Sequence, residues 1–226
     1  MKLARVSELA DDRDSKSRGR KAVWVQIPPW ALMKKRRLSN DKKLRSYIIG
    51  IALGDGNLSN PNMRATRLRV TCDKKYIKLA HHIKTSIEKL LPENKTSFVD
   101  RKKNYLDISC YSNYWEQLLG WKAGKGRKIE QAISVPWWIK KNKHYIKNCL
   151  RGLLQTDGSI YNDRGYAMVN FVNHSKNLAQ DVALMITALG YKPNTQQLKT
   201  KSGTKYTVRV SKNTKGFIKE IKLWKT

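Results

Sequence analysis

"YIIGIALGDGNLS", residues 47–59, is an apolar run with small residues at tight intervals that stops at Asp55-Gly56. The spacing of its apolar side chains predicts a helix over 41–54. A buried helix that finishes on a carboxylate needs a reason. "CLRGLLQTDGSIY", residues 149–161, has the same form and stops at Asp157-Gly158. One such ending is an ordinary stop, glycine being free to turn the chain. Two of them 102 positions apart form a pattern, because the same offset relates Gly50 to Gly152, Gly56 to Gly158, Asn60 to Asn162, Val70 to Val172 and Lys74 to Lys176. The unit is too long for a solenoid repeat and reads as a duplicated domain.

The coarse structure repeats with it. After each Asp-Gly comes a turn-rich patch, then a β-like run ("RLRVT", "YAMVNFV"), then an amphipathic helix ("KKYIKLAHHIKTSIEKLL", "SKNLAQDVALMITALG"). Two further β-like runs and a short helix close each half, near 112–120 and 213–222. Each half therefore reads αββαββα, an α+β arrangement. The expected domains are 41–120 and 143–226, joined by a linker at 121–142. "VPWWI" in that linker reads as a rigid entry to the second helix, with Trp137 and Trp138 packing. Residues 1–32 are expected to be a disordered or spurious extension. One reverse translation of "VWVQIPP" forms a hairpin resembling the T arm of a transfer RNA gene, which suggests an overlap with such a gene and a working start at Met33.

Composition narrows the partner. The chain has 226 residues, with 47 Lys+Arg against 17 Asp+Glu, a formal net charge of +30 spread along the whole length. Such an excess seeks a polyanion. No apolar stretch approaches the roughly 20 residues of a membrane span, and no signal-peptide core is visible. A nucleic acid is thus the favoured partner over a membrane. Cys72, Cys110 and Cys149 are widely spaced and fall into no metal-ligand pattern with the four histidines. An intracellular location, cytoplasmic or in an organellar matrix, fits free thiols.

Gly50 and Gly54 share one helical face, as do Gly152 and Thr156. Small residues let two helix backbones approach closely. Side-by-side packing of the two helices would bring Asp55 and Asp157 together. The helix dipole disfavours negative charge there, whereas paired carboxylates suit a bound Mg²⁺ and phosphoryl displacement.

"IIGIALGDG" and "LRGLLQTDG" resemble the two namesake motifs of the LAGLIDADG homing endonucleases in the two-motif, single-chain form, from about residue 41 to the end. The resemblance implies a pseudo-twofold protein whose two sheets form a saddle over duplex DNA. It implies cleavage of both strands with Mg²⁺, with Asp55 and Asp157 as catalytic and metal-binding residues. Position six of the motif is Leu53 and Gln155 instead of Asp. It further implies a basic residue after the last strand of a half, which Lys212 fits, its counterpart at the same offset being Cys110. A polar residue near the metals is also implied, with Cys72 or Asp73 in one half and Asn173 or His174 in the other.

Alternation in "TRLRVT" and "YTVRVSK" places Arg67, Arg69 and Thr71, and Thr207, Arg209 and Ser211, opposite apolar neighbours. Such a ribbon fits a major groove. Gln196, Gln197 and Lys199 are expected to extend this face, with Asn170 in the other strand. The expected protein is a monomeric, site-specific double-strand endonuclease from an intron or free-standing mobile element. Two other readings fit the same charge: a maturase acting on intron RNA, and a DNA-binding regulator that does not cut.

Overall fold

The computed structural model describes residues 37–61, 63–201 and 203–225. The N-terminal segment read as an extension lies outside the described residues. The first half contains α1 (Lys42–Asp55), β1 (Gly56–Ser59), β2 (Arg67–Asp73), α2 (Ile77–Leu90), β3 (Thr96–Asp100), β4 (Tyr105–Tyr111) and α3 (Trp115–Leu119). A one-turn helix, α4 (Trp137–Lys140), lies in the connection. The second half contains α5 (Lys143–Thr156), β5 (Gly158–Asp163), β6 (Tyr166–Asn173), α6 (Lys176–Ala188), β7 (Pro193–Thr200), β8 (Gly203–Val210) and α7 (Thr214–Ile221). The two sheets are antiparallel and four-stranded, in the orders β1-β2-β4-β3 and β5-β6-β8-β7. No helix among the described residues is long and apolar enough to cross a membrane.

The centre of the molecule is the α1–α5 pair. Asp41 caps α1 by accepting from the Lys43 and Leu44 amides at 2.8 and 3.1 Å. Asn142 caps α5 through the His144 amide at 2.9 Å. Each cap satisfies an amide that the first helical turn leaves open. Every residue of α1 from Ser46 to Leu53 is buried, the mark of a helix enclosed on all sides. The glycines make the crossing close. A Cβ on Gly152 would lie 2.5 Å from the Tyr47 carbonyl oxygen and 2.8 Å from the Ile51 nitrogen. One on Gly50 would collide with the Cys149 carbonyl. The Tyr47 hydroxyl donates to Gln155 Oε1 at 2.8 Å across this buried interface.

The 102-residue offset holds through the α1 and α5 motifs and into the first strand of each sheet, but not beyond. Gly56 pairs with Val70, whereas Gly158 pairs with Phe171. The chain between the paired positions is therefore one residue shorter in the second half than in the first. Val70 corresponds to Phe171, not Val172, and Cys72 to Asn173. Val70 pairs with Ile108 and Phe171 with Val208, so the counterpart of Lys212 is Ser112, not Cys110.

The connection at 121–142 is packed. Trp121, Ile133, Val135 and Ile139 are buried in the core. Asp181 of α6 accepts from the Val135 amide and from Lys140 Nζ, both at 2.7 Å. Trp138 meets Tyr145 edge to face, but Trp137 is 67% exposed, with Lys141 Nζ 4.7 Å from its ring centre. Only one of the two tryptophans thus packs as expected.

Candidate functional site

Close packing of α1 and α5 brings their C-terminal ends together. Asp55 is the last residue of α1, and Asp157 caps the end of α5. A Cβ on Gly54 would lie 3.5 Å from Asp157 Cγ. Asp157 is half-buried. Its Oδ2 accepts from Asn173 Nδ2 at 2.6 Å. Its carboxyl is pushed up to about 6, first by burial and then by the charge of Asp55, with Asn173, Lys128 and Lys225 opposing. Asp55 is more open to solvent, and partial burial still raises its carboxyl against the pull of Lys128 and Lys225. Two carboxylates held close disfavour double ionisation.

Of the four strand-end candidates, the structure brings Asn173 and Cys72 to the pair. Cys72 is the register equivalent of Asn173. Its thiol is pushed up to about 11 by burial, with Asp55 adding to the effect. Asp73 instead turns away to cap the next turn, accepting from the Lys75 amide at 2.9 Å. His174 bonds the Thr204 carbonyl at 3.0 Å.

Two lysines that sequence reasoning missed complete the site. Lys128 Nζ donates to the carbonyls of Ala52 at 3.3 Å, Leu53 at 2.9 Å and Gly54. Lys225 Nζ donates to the carbonyls of Thr156 at 3.0 Å and Gly158 at 2.9 Å, and lies 5.2 Å from the Tyr76 ring centre. The last carbonyls of a helix have no partner within it and form its negative pole. An ammonium is the natural complement. Burial pulls both lysines down, while the two aspartates hold them up. Both lie in irregular segments, two among 47 basic residues, with no periodicity to single them out.

The donors available are the Asp55 and Asp157 carboxylates, since the Asn173 amide oxygen accepts from the Ser175 amide at 2.7 Å and the helix-end carbonyls accept from the lysines. This is a hard oxygen set of the kind Mg²⁺, Mn²⁺ and Ca²⁺ accept. Among the described residues no cluster of three or more His, Cys, Asp or Glu side chains could hold a metal. A two-carboxylate set fits an ion that keeps several waters and takes further ligands from a phosphate. Beside Asp157 opens a cleft of about 850 Å³, lined among others by Arg127, Lys128, His174, Lys176 and Tyr206.

The sheets expose the predicted face in part. In β2, Arg67, Arg69 and Thr71 alternate with buried Leu68 and Val70. Asn170 pairs with Arg209, and Thr207 with Gln196, on the corresponding face of the second sheet, and Ser211 continues its parity. Gln197 and Lys199 pair with Tyr206 and Thr204. Strand alternation puts them on the opposite side, which corrects their assignment. Lys212 is also corrected. Tyr206 pairs with Asn173 beside Asp157, and Lys212 lies six residues further along, roughly 20 Å at strand rise. Asp107 was not foreseen on the first sheet's face. It is 3% exposed and accepts from Thr71 Oγ1 at 2.8 Å and Arg101 Nε at 3.1 Å.

Residues 144–222 match the family model for a LAGLIDADG-like domain, and residues 44–109 that for the WhiA LAGLIDADG-like domain. The chain belongs to the LAGLIDADG family, with both motifs in one polypeptide. It is similar in structure to I-DmoI in complex with DNA and Mn (TM-score 0.61, 18% identity, 80% of this chain and 97% of that one). I-DmoI has also been solved with DNA and Ca, and a point variant of it with its target DNA and Mg. The N-terminal LAGLIDADG domain of DUF199/WhiA is similar at a TM-score of 0.55 and 11% identity, over 83% of this chain and 87% of that one. Likeness at these identities is one of fold. In sequence the chain resembles the tRNA-splicing ligases RtcB of Methanopyrus kandleri (26% over 204 residues, 77% of this chain) and Pyrococcus abyssi (26% over 187 residues, 72%). It spans 20% of the length of each ligase.

Proposed function

We propose that the chain is a site-specific DNA endonuclease of the homing type, built from two domains (41–120 and 143–226) whose sheets hold duplex DNA. The observation that carries this reading is the meeting of Asp55 and Asp157 at two helix ends, where the dipole makes negative charge costly, in a chain of net charge +30. A divalent cation bound there, which we assign as Mg²⁺, supplies Lewis-acid stabilisation of charge on the oxygens of a phosphodiester undergoing cleavage. Asp55 and Asp157 would hold it, and Asn173 orients the Asp157 carboxylate. Arg67, Arg69 and Arg209 point from the sheet faces, where guanidinium forks suit guanine edges and phosphates alike. One chain supplies both half-sites, so a monomer suffices.

The test is cleavage of a supercoiled plasmid library of random duplex sites with Mg²⁺. Asp55→Asn and Asp157→Asn keep the shape and remove one negative charge each. Cutting is expected to fall by orders of magnitude, since several kcal/mol of transition-state stabilisation is lost and each 1.36 kcal/mol is about tenfold. Duplex binding should persist or tighten. An Asn variant that linearises plasmid at the parent's rate removes the pair from the reaction. A second reading, DNA binding without cleavage, has one observation in its favour: Lys128 and Lys225 already balance the pair's charge. Tight, sequence-selective binding with no cut in Mg²⁺ or Mn²⁺ would establish it instead.

A further inference from the structure

Both halves end in a short helix followed by an irregular segment, and both segments return to the end of a central helix. The segment after α3 carries Lys128 onto the α1 carbonyls, and the one after α7 carries Lys225 onto those at the end of α5. The lysines stand at different spacings from the helices they follow, because the chain between differs in length in the two halves. The outcome is nevertheless twofold: one ammonium on each helix end, beside the carboxylate pair.

Neither lysine is loosely placed. The segment around Lys128 is clamped by Gln131, whose Oε1 accepts from the Lys122 amide at 2.9 Å and whose Nε2 donates to the Lys122 carbonyl at 3.0 Å. Further along, it is fastened by the Val135 amide on Asp181. Lys225 follows Trp224, which packs edge-on against His82 and whose carbonyl accepts from Gln155 Nε2 at 2.9 Å.

We propose that Lys128 and Lys225 are resident counter-ions of the carboxylate pair, holding it assembled without a divalent cation and setting how tightly that cation binds. The proposal rests on the reading of Asp55 and Asp157 as a metal-binding pair. Two carboxylates and two ammonium groups leave the site near neutral. A divalent cation alone would make it strongly positive, and the phosphates of bound DNA offset that excess. The ion is therefore admitted together with the nucleic acid, and the DNA-free protein binds it weakly.

Lys128→Met tests this, with Lys225→Met as the second variant in case the first fails to fold, and Lys128→Arg as the conservative control. Mn²⁺ binding is read by electron paramagnetic resonance without DNA. Thermal stability is read without metal, alone and combined with Asp157→Asn. Removing one ammonium is expected to tighten Mn²⁺ about tenfold or more, as unit charges at close range interact at that scale or above. It should also lower metal-free stability, and Asp157→Asn in the same chain should recover much of the loss. Lys128→Arg should keep both parent values. A folded Met variant with unchanged or weaker Mn²⁺ binding overturns the proposal, as do strictly additive stability effects with Asp157→Asn. If the parent and the variants all fail to bind Mn²⁺, with or without DNA, the metal-binding reading itself falls. The metal-free double-mutant comparison then still decides whether the lysines serve the carboxylates.

Discussion

Gly152→Ala sets two effects against each other at the helix crossing. In an isolated helix, alanine is better than glycine by about 1 kcal/mol. Here the new Cβ would lie 2.5 Å from the Tyr47 carbonyl oxygen and 2.8 Å from the Ile51 nitrogen. Both obstacles are backbone atoms in the buried stretch of α1, so no side chain can rotate aside. α1 and α5 must separate by several tenths of an ångström, loosening contacts along the interface. Overpacking of this kind costs about 1–3 kcal/mol, sometimes more, and a double backbone clash belongs at the upper end. The net loss is about 2 kcal/mol, or roughly 4–8 °C in melting temperature for a unit of this size. Gly54→Ala supplies the comparison. Its Cβ meets mainly the Thr156 side chain, which can yield, so its loss should be about half as large. Differential scanning calorimetry of metal-free protein reads both. A Gly152→Ala protein at least as stable as the parent would refute the close crossing, and with it the reason the two aspartates meet.

Three other expectations follow from the same geometry. Folding raises the Asp157 carboxyl to about 6, from an ordinary value near 4, so the folded state binds the proton more tightly and metal-free stability falls as pH rises through that window; the whole effect is about 3 kcal/mol, and Asp157→Asn should flatten this fall in a melting series from pH 4 to 7.5. Asp181→Ala leaves the buried Val135 amide without its acceptor and Lys140 without its partner, for an expected loss of about 2–4 kcal/mol in urea unfolding; a loss under about 1 kcal/mol would mean the connection is not fastened there. DNA affinity should fall steeply with salt, with a slope of log K against log salt of roughly −5 or steeper from several phosphate contacts; a flat response in fluorescence anisotropy would remove duplex DNA as the main partner.

The order of elements was legible because each rests on local chemistry. The amphipathic run of α2 and the alternation in β2 and β8 each declare one buried face. The α1–α5 crossing was legible too, because Gly50 and Gly152 permit an approach that any Cβ would block. Register was not. Identities at one offset aligned Val70 with Val172, but hydrogen bonding through a shorter turn aligns Val70 with Phe171. That single slip exchanges the inward and outward faces of a strand, and it misdirects every residue-by-residue transfer beyond the turn. The misplacement of Gln197 and Lys199 has a related cause. A face that runs through Gln196, Gln197 and Lys199 alike overlooks that neighbours along a strand face opposite ways.

The site divides along the same line. Asp55 and Asp157 sit on helices whose spacing can be counted, so their meeting follows from the residue pattern. Lys128 and Lys225 reach the site through chain that has no period, and only tertiary packing selects them from the other basic residues. The corrected register also shows that the duplicated halves are unequal at the chemistry. Asp157 faces an amide at Asn173, and Asp55 faces a thiol at Cys72. An amide donates to an ionised carboxylate and fixes its direction, whereas a protonated thiol is a weak donor. The Asp157 carboxylate is therefore held and the Asp55 carboxylate is freer to turn. Whatever these two groups bind, they present to it one fixed oxygen ligand and one adjustable one.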